Sequence, residues 1–494
     1  MKTDRLFLIF LGAWALLFCG LRTAQHFSFG TNANDLSVYD YGLRSTLKGK
    51  VMAEPFHQYS FGHWERESGS GTLTYKPGAV KGWQSYFSLH FTPILFFIAP
   101  LYAIFPSALL LLYLQVLAAA LAALFLFLVA RSVLAERGAP WVVAVAYLFF
   151  RQSLIGLTHD FHPELLFPPL FLGGFYFLVV RKKRVAAFAL LLSALLVKED
   201  VGIYLFFFGL FAALKLKEKK FGWLTAATAL GYTLLVLGVV IPAFRQGSGA
   251  EGFYQYSATY GQIGGGLAGM VGHILGHPQI LFQGVDLGAF SRILCFGLLL
   301  PLLFLPLASW YGLLLIPPLA VAVFSKIPQF YTFGIFYSSA LLPFLFLALI
   351  YGLKNVRDHW TSRRPDRGRR IFVAVAWIIL VANIGNSSFW RIVQPGRYRA
   401  LSTYSDVRAL ASLIPPDASV AAQSALVPHL PQRRTIAMLP GFGHEDYVFI
   451  HAGVNPWPYT QEELIAFNGM MQKDPSYELA GQRGVVRLYR RKRT

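Results

Sequence analysis

Long apolar runs separated by short polar islands recur through the first 386 residues. A helix needs about 20 apolar residues to cross a bilayer, fewer inside a packed bundle. On that measure the pattern predicts spans at 6–22, 107–130, 140–157, 164–180, 185–197, 201–215, 221–243, 289–307, 309–324, 336–353 and 370–386, about eleven transmembrane helices. Phe91 to Phe105 is apolar too, but it contains Pro93 and Pro100 and is short. It reads as a re-entrant or membrane-surface helix pair. Beyond Asn386 the pattern changes to that of a globular unit: a helix at Ser402–Ile414, strands at Ser419–Ala422, Thr435–Leu439, Tyr447–His451 and Val485–Tyr489, and a helix at Gln461–Met471. The expected fold is an α-helical polytopic membrane protein, residues 1–388, with a large first outer loop at 23–106 and a small C-terminal extracytoplasmic α/β domain at 389–494.

Composition agrees: 55% of the 494 residues are hydrophobic and only 14% charged, more apolar than a soluble domain. The net charge of +20 is spread in short clusters between apolar runs, not gathered on one soluble face, which argues against nucleic acid as a partner. Basic clusters also set orientation, since short cytoplasmic loops are enriched in Lys and Arg. Lys354 to Arg370 holds seven basic and two acidic residues. With the N-terminus cytoplasmic and the first helix uncleaved, this cluster, Arg131 to Arg137, Arg181 to Arg184 and Lys215 to Lys220 all fall inside. The loop 23–106, a Gly-rich loop 246–288 with the flexibility of a lid, and the C-terminal domain then lie outside. Two cysteines, Cys19 and Cys295, sit in apolar segments and make neither a disulfide framework nor a zinc site.

Four polar islands land on that outer side, where charge beside a bilayer must be solvated, paired or bound. Asp35 and Asp40 follow the first helix. A carboxylate there is a candidate catalytic base or a holder of a divalent cation, although Asp35 is also placed to cap a helix over Leu36–Leu47, with Tyr39 on its face. His90 opens the apolar stretch after the first loop, where a lone histidine also serves as an interfacial anchor. His159-Asp160-Phe161-His162-Pro163-Glu164 packs four ionisable side chains into six residues; His159, Asp160, His162 and Glu164 are candidate ligands for Mg²⁺ or Mn²⁺ if the acids lead and for zinc if the histidines do, with a solvated loop as the plainer alternative. Lys198-Glu199-Asp200 divides two half-length apolar segments, either as an internal ion pair or as a binding site for a phosphate or sugar. Tyr331 belongs to an aromatic outer rim.

Asn34-Asp35-Leu36-Ser37-Val38-Tyr39-Asp40, Ser88-Leu89-His90-Phe91-Thr92-Pro93-Ile94, Asp160-Phe161-His162-Pro163-Glu164, Val197-Lys198-Glu199-Asp200 and Ile414-Pro415-Pro416-Asp417 through His429, in that order, resemble the bacterial membrane-protein family called domain of unknown function 2079. The first helix, large outer loop and acidic residue just after the helix are also similar to GT-C glycosyltransferases. That resemblance implies an inner-membrane enzyme that moves a sugar from a polyprenyl-phosphate donor to an acceptor at the extracytoplasmic face. Membrane lipids and a lipid-linked sugar would be its partners. It implies Asp35 or Asp40 as the catalytic carboxylate. From the placing of the polar islands, Tyr39, His90, Lys198, Glu199, Asp200 and Tyr331 are the residues expected to contact substrate. The spacing of the two acids departs from many GT-C enzymes, whose acids are adjacent or one apart. A non-catalytic transporter or membrane assembly factor with an outward-facing ion or proton site is the alternative.

Overall fold

The structure, a computed structural model, describes residues 2–56, 58–61, 63–66, 73–76, 82–136, 138–248, 260, 267–283, 285–363, 365–441 and 443–492. Among these, five helices are long and apolar enough to cross a membrane: Asp4–Phe27, Ala108–Val133, Pro163–Val180, Lys219–Arg245 and Pro365–Ala411. The helices Ala139–Phe149 and Arg151–Thr158, bent by 47° at their junction, make a sixth if they form one broken span. Shorter apolar helices occupy Leu95–Ile104, Arg184–Leu195, Val201–Leu214, Leu287–Leu302 and Trp310–Val323. The chain is a multi-pass membrane protein, because apolar helices satisfy their own backbone polar groups where water is absent.

The helix Ala108–Val133 lies at the centre and packs against Lys2–Phe27, Ala139–Phe149 and Phe167–Phe175. Its buried face carries Ala118, Ala120, Ala122, Ala123 and Ala130, and small residues let helices approach closely where no hydrophobic force drives them together. The closest approach is between Val201–Leu214 and Lys219–Leu235. A Cβ on Gly209 would sit 2.7 Å from the Gly222 carbonyl oxygen, and one on Gly222 would sit 2.5 Å from that of Gly209. Only glycine fits either position.

Three local expectations change. Residues 91–105 hold one helix, Leu95–Ile104, with Pro100 inside it, instead of a pair. The helix expected at Leu36–Leu47 is a π-turn, Ala33–Ser37, running into an α-helix, Val38–Thr46. The helix expected from Ser402 begins at Tyr404, after a 3-10 segment, Pro395–Thr403. Most of the Gly-rich loop expected to act as a lid, including Gly249, Gly252, Gly261 and Gly264 to Gly266, lies outside the described residues.

Beyond the last apolar helix stands a five-stranded sheet in the order Ile436–Met438, Val420–Ala422, Tyr447–His451, Val486–Arg491, Tyr477–Arg483. Val420–Ala422 is parallel to both its neighbours and the remaining pairs are antiparallel. Tyr477–Arg483 escapes a reading by alternation because a register shift between Leu479 and Gly481 breaks its period. Alternate strand residues bury opposite faces. Ala421, Ala437, Val448 and Ile450 pack on Leu464, Phe467 and Met471 of the helix Gln461–Lys473. Val420, Ala422, Met438 and Phe449 pack with Phe29, Ala33, Val38 and Tyr41, which follow the first membrane helix. The sheet therefore seats directly on the polar loop that carries Asp35.

Candidate functional site

The helix Arg151–Thr158 ends just before His159, and its last carbonyls have no partners within the helix. The buried Arg22 supplies them from the end of the first membrane helix: Nη1 donates to the Thr158 carbonyl at 2.7 Å and Nη2 to the His159 carbonyl at 2.6 Å. Gln25 adds a donor to Thr158 at 2.9 Å and accepts from Arg22 at 2.6 Å. Next along the chain, Asp160 accepts the backbone N–H of Asn32 through Oδ2 at 2.7 Å, while its carbonyl accepts from Nε2 of Gln115 at 3.1 Å. These bonds fix the backbone on both sides of His159 and tie it to the loop just ahead of Asp35.

The consequence is a convergence of three side chains. Asp35 Oδ2 lies 3.2 Å from His159 Nε2, and Oδ1 lies 3.4 Å from His162 Nε2. One ligand atom from each residue lies within 4.8 Å of the others. His162 is buried, stacked on Phe336 with ring centroids 3.4 Å apart, and its Nδ1 faces the Asp160 carbonyl at 3.1 Å. Asp35 and His159 remain about a quarter exposed, at 26% and 24%, so the cluster is open on one side. Burial works to raise the Asp35 carboxyl, but the bonds and charge of His159 and His162 outweigh it and hold it well below the usual carboxylate range. Asp160 goes the other way: burial, with the charge of Asp35 added, pushes it up to about 7.

Of the four residues expected as ligands, His159 and His162 meet, and the carboxylate between them is Asp35. Asp160 turns to Asn32. Glu164 turns to Lys198, whose Nζ reaches Oε1 at 2.7 Å. That pair lines a cavity of about 40 Å³ together with Asp200, Tyr204, Phe336 and Tyr337, enough for water. Phe336 thus belongs to both groups, stacked on His162 and part of the cavity lining. The backbone before it is strained: Phe333 and Ile335 have φ of 51° and 48°, a region rare for any side chain and rarest for a β-branched one.

Glu199, fully buried, accepts from the N–H of Phe91 at 3.0 Å and pairs with Nδ1 of His90 at 2.7 Å. Tyr39 is buried with its hydroxyl 2.9 Å from that of Tyr86, and the Tyr86 ring leads on to His90, 5.9 Å away. Tyr331 is buried, and its neighbour Phe330 lines the cavity. Asp40 stands apart from Asp35: it is bound by Arg44 Nε, 3.1 Å from each oxygen, and by the Tyr102 hydroxyl. Nor does Asp35 cap a helix, since it lies within the π-turn whose N-cap is Asn32.

Pattern reading passed over Arg22, Gln25, Gln115 and Phe336. Arg22 did carry a signal, as a charge at the end of an apolar span needs a partner. Gln115 and Phe336 stand among apolar residues and carry none.

Two imidazole nitrogens and one carboxylate oxygen are a donor set for Mn²⁺ or another first-row transition ion. Mg²⁺ prefers an all-oxygen shell and fits it poorly.

No curated protein matches the chain. Among solved structures, ArnT from Cupriavidus metallidurans in the apo state is similar with a TM-score of 0.48 and 11% identity, covering 97% of this chain and 98% of that one. The same protein bound to undecaprenyl phosphate gives a TM-score of 0.48 and 12% identity over the same shares. The family described as predicted membrane protein (DUF2079) matches residues 25–465, a range that takes in all five motifs, and the chain belongs to it.

Proposed function

We propose that the chain is an inner-membrane glycosyltransferase of the GT-C type, with about eleven spans in residues 1–388, a cytoplasmic N-terminus and an extracytoplasmic α/β domain at 389–494. It transfers a sugar from a polyprenyl-phosphate donor to an acceptor hydroxyl at the extracytoplasmic face. One observation carries this reading. A partly exposed carboxylate, Asp35, is held by two histidines at the mouths of membrane helices, and the Lys198–Glu164 pair lines a cavity together with Phe336, the ring that stacks on His162.

In this reading the acceptor oxygen bonds to C1 of the sugar as the C1–O bond to phosphate breaks, with inversion, and the polyprenyl phosphate leaves with the bonding electrons. Asp35, kept ionised by its histidines, takes the acceptor's proton. Lys198 meets the phosphate, and Glu164 holds the ammonium in place before substrate arrives. Glu199 orients His90 at the edge of the site. His159, His162 and Asp35 would hold a divalent cation, which would neutralise charge on the leaving phosphate when bound. Asp40, saturated by Arg44 and Tyr102, has no part in the reaction.

The test is a single-turnover assay with radiolabelled polyprenyl-phosphate sugars. Asp35→Asn is expected to lower transfer by at least about 100-fold, the scale of losing a positioned acid–base group. Transfer unchanged in Asp35→Asn removes the assignment.

A further inference from the structure

A second cavity lies at the other end of the bundle, in the crevice between the helices Ala139–Phe149 and Pro365–Gly385. It measures about 290 Å³, close to the lower end of small-molecule sites at roughly 300 Å³. Its walls are Trp141 and Val142 on one side and Phe372, Val373 and Ala376 on the other, with Trp377 at the rim. One wall belongs to a helix apolar enough to cross a membrane and the other to the bent pair that qualifies as one broken span, which puts the crevice against lipid. The Trp141 wall is braced from behind, with Phe7 packed edge-on at 5.1 Å and Phe127 at 6.4 Å.

The charge at the mouth of the crevice indicates which lipid. Glu136 is the acidic residue in the lining, and Arg357 pairs with it at 3.5 Å while also bonding Asp358 at 2.6 Å. Lys354 also pairs with Asp358, at 2.9 Å, so the two acids are matched by two basic residues. Arg369 and Arg370 are exposed and form no ion pair among the described residues. Arg369 precedes Phe372 and Val373 by three and four residues, which puts it on the cavity-lining face one turn nearer the helix start. Gly368 lets this turn press against the preceding helix, where a Cβ would meet the Trp360 carbonyl oxygen at 2.7 Å. The basic residues of both helices are thereby gathered at one end of an apolar crevice.

We propose that this crevice is a binding site for an anionic phospholipid of the surrounding bilayer, with an acyl chain between Trp141 and Ala376 and the phosphate against Arg369 and Arg370. A zwitterionic lipid matches the apolar walls equally well but leaves these guanidinium groups without a counter-charge.

The full-length protein, purified in mild detergent, would be exposed to equimolar phosphatidylglycerol and phosphatidylethanolamine, and retained lipid counted by native mass spectrometry. The wild type is expected to keep one phosphatidylglycerol with a preference of roughly 30-fold over phosphatidylethanolamine, the scale of two surface-proximal charges. Reversing both charges, Arg369→Glu with Arg370→Glu, is expected to abolish the preference. Val373→Trp, at a half-exposed wall position where the larger ring enters the crevice without burial in the core, is expected to abolish retention of both lipids. A wild type without preference, or Val373→Trp retaining phosphatidylglycerol at the wild-type level, would overturn the proposal.

Discussion

The carboxylate of Asp35 sits 3.2 Å from Nε2 of His159 and presents its second oxygen to His162 at 3.4 Å. The π-turn of the first polar loop and the end of the bent helix pair supply the two halves of this contact. If the three residues form a cation site, purified protein binds Mn²⁺ at one saturable site, read by electron paramagnetic resonance. His162→Ala is expected to weaken that binding by more than the roughly 10–100-fold that loss of a supporting group costs. Equal Mn²⁺ binding by wild type and His162→Ala would refute the site.

The same geometry separates the two acids of the loop. Asp40 is engaged by Arg44 and Tyr102, so Asp40→Asn is expected to lower thermal stability by about 1–2 kcal/mol through a weakened charged hydrogen bond and to leave sugar transfer within a few-fold of wild type. Asp35→Asn should show the reverse. Transfer lost in Asp40→Asn at unchanged stability would invert the assignment.

Arg22 acts through the backbone. Arg22→Ala orphans the carbonyl of His159 and leaves that of Thr158 to Gln25 alone, with an expected loss of roughly 1–3 kcal/mol in stability. Because His159 is then no longer fixed, Mn²⁺ affinity should fall as well. A melting curve combined with the resonance titration checks both; stability lost with affinity intact would show that Arg22 supports the helix end alone.

Gly202 packs where a Cβ would lie 1.9 Å from Oγ1 of Thr233 and 2.7 Å from the Ala229 carbonyl oxygen. Thr233 in turn donates to the Glu199 carbonyl at 3.2 Å. Gly202→Ala is expected to cost about 1–3 kcal/mol in overpacking and, by displacing Thr233, to disturb the Glu199–His90 pair. Nuclear magnetic resonance of the labelled His90 ring before and after substitution tests the second effect.

Acid should loosen the C-terminal sheet. Burial pushes the His451 imidazole down to about 4, and burial lowers that of His429 as well. Above pH 6.5 the ring is neutral in folded and unfolded chains, and stability is full. As pH falls below 6.5 the unfolded chain takes up a proton that the fold refuses. Stability therefore drops, by about 2 kcal/mol for His451 at pH 5, and the loss levels off below pH 4. Chemical unfolding at pH 7.5 and pH 5 measures it, and His451→Gln should reduce the difference by about 2 kcal/mol, leaving the part due to His429.

Hydropathy made the membrane helices legible because the bilayer imposes a length and a polarity on every span. The polar islands were legible for the same reason: Asp35, His159, His162 and Lys198 each stand out against apolar surroundings. Which of them meet was not legible. His159-Asp160-Phe161-His162-Pro163-Glu164 reads as one ligand set, yet Asp160 and Glu164 are claimed by Asn32 and Lys198, residues distant in sequence. Local spacing carries no information about such partners. Nor could spacing say which of Asp35 and Asp40 meets the histidines, since the change from π-turn to α-helix between them turns one acid to the histidines and the other to Arg44.

The backbone N–H of Ala33 bonds to the carbonyl of Ser424 at 3.0 Å, and the face of the sheet beneath it buries Phe29, Val38 and Tyr41. The turn that holds Asp35 is thus completed by residues synthesised long after its own. During biogenesis the first membrane helix waits, with an unfinished loop at its end, while the rest of the bundle is inserted. A chain released early, before the sheet has formed, would carry every residue of the Asp35–His159–His162 cluster and still lack the strut that sets it.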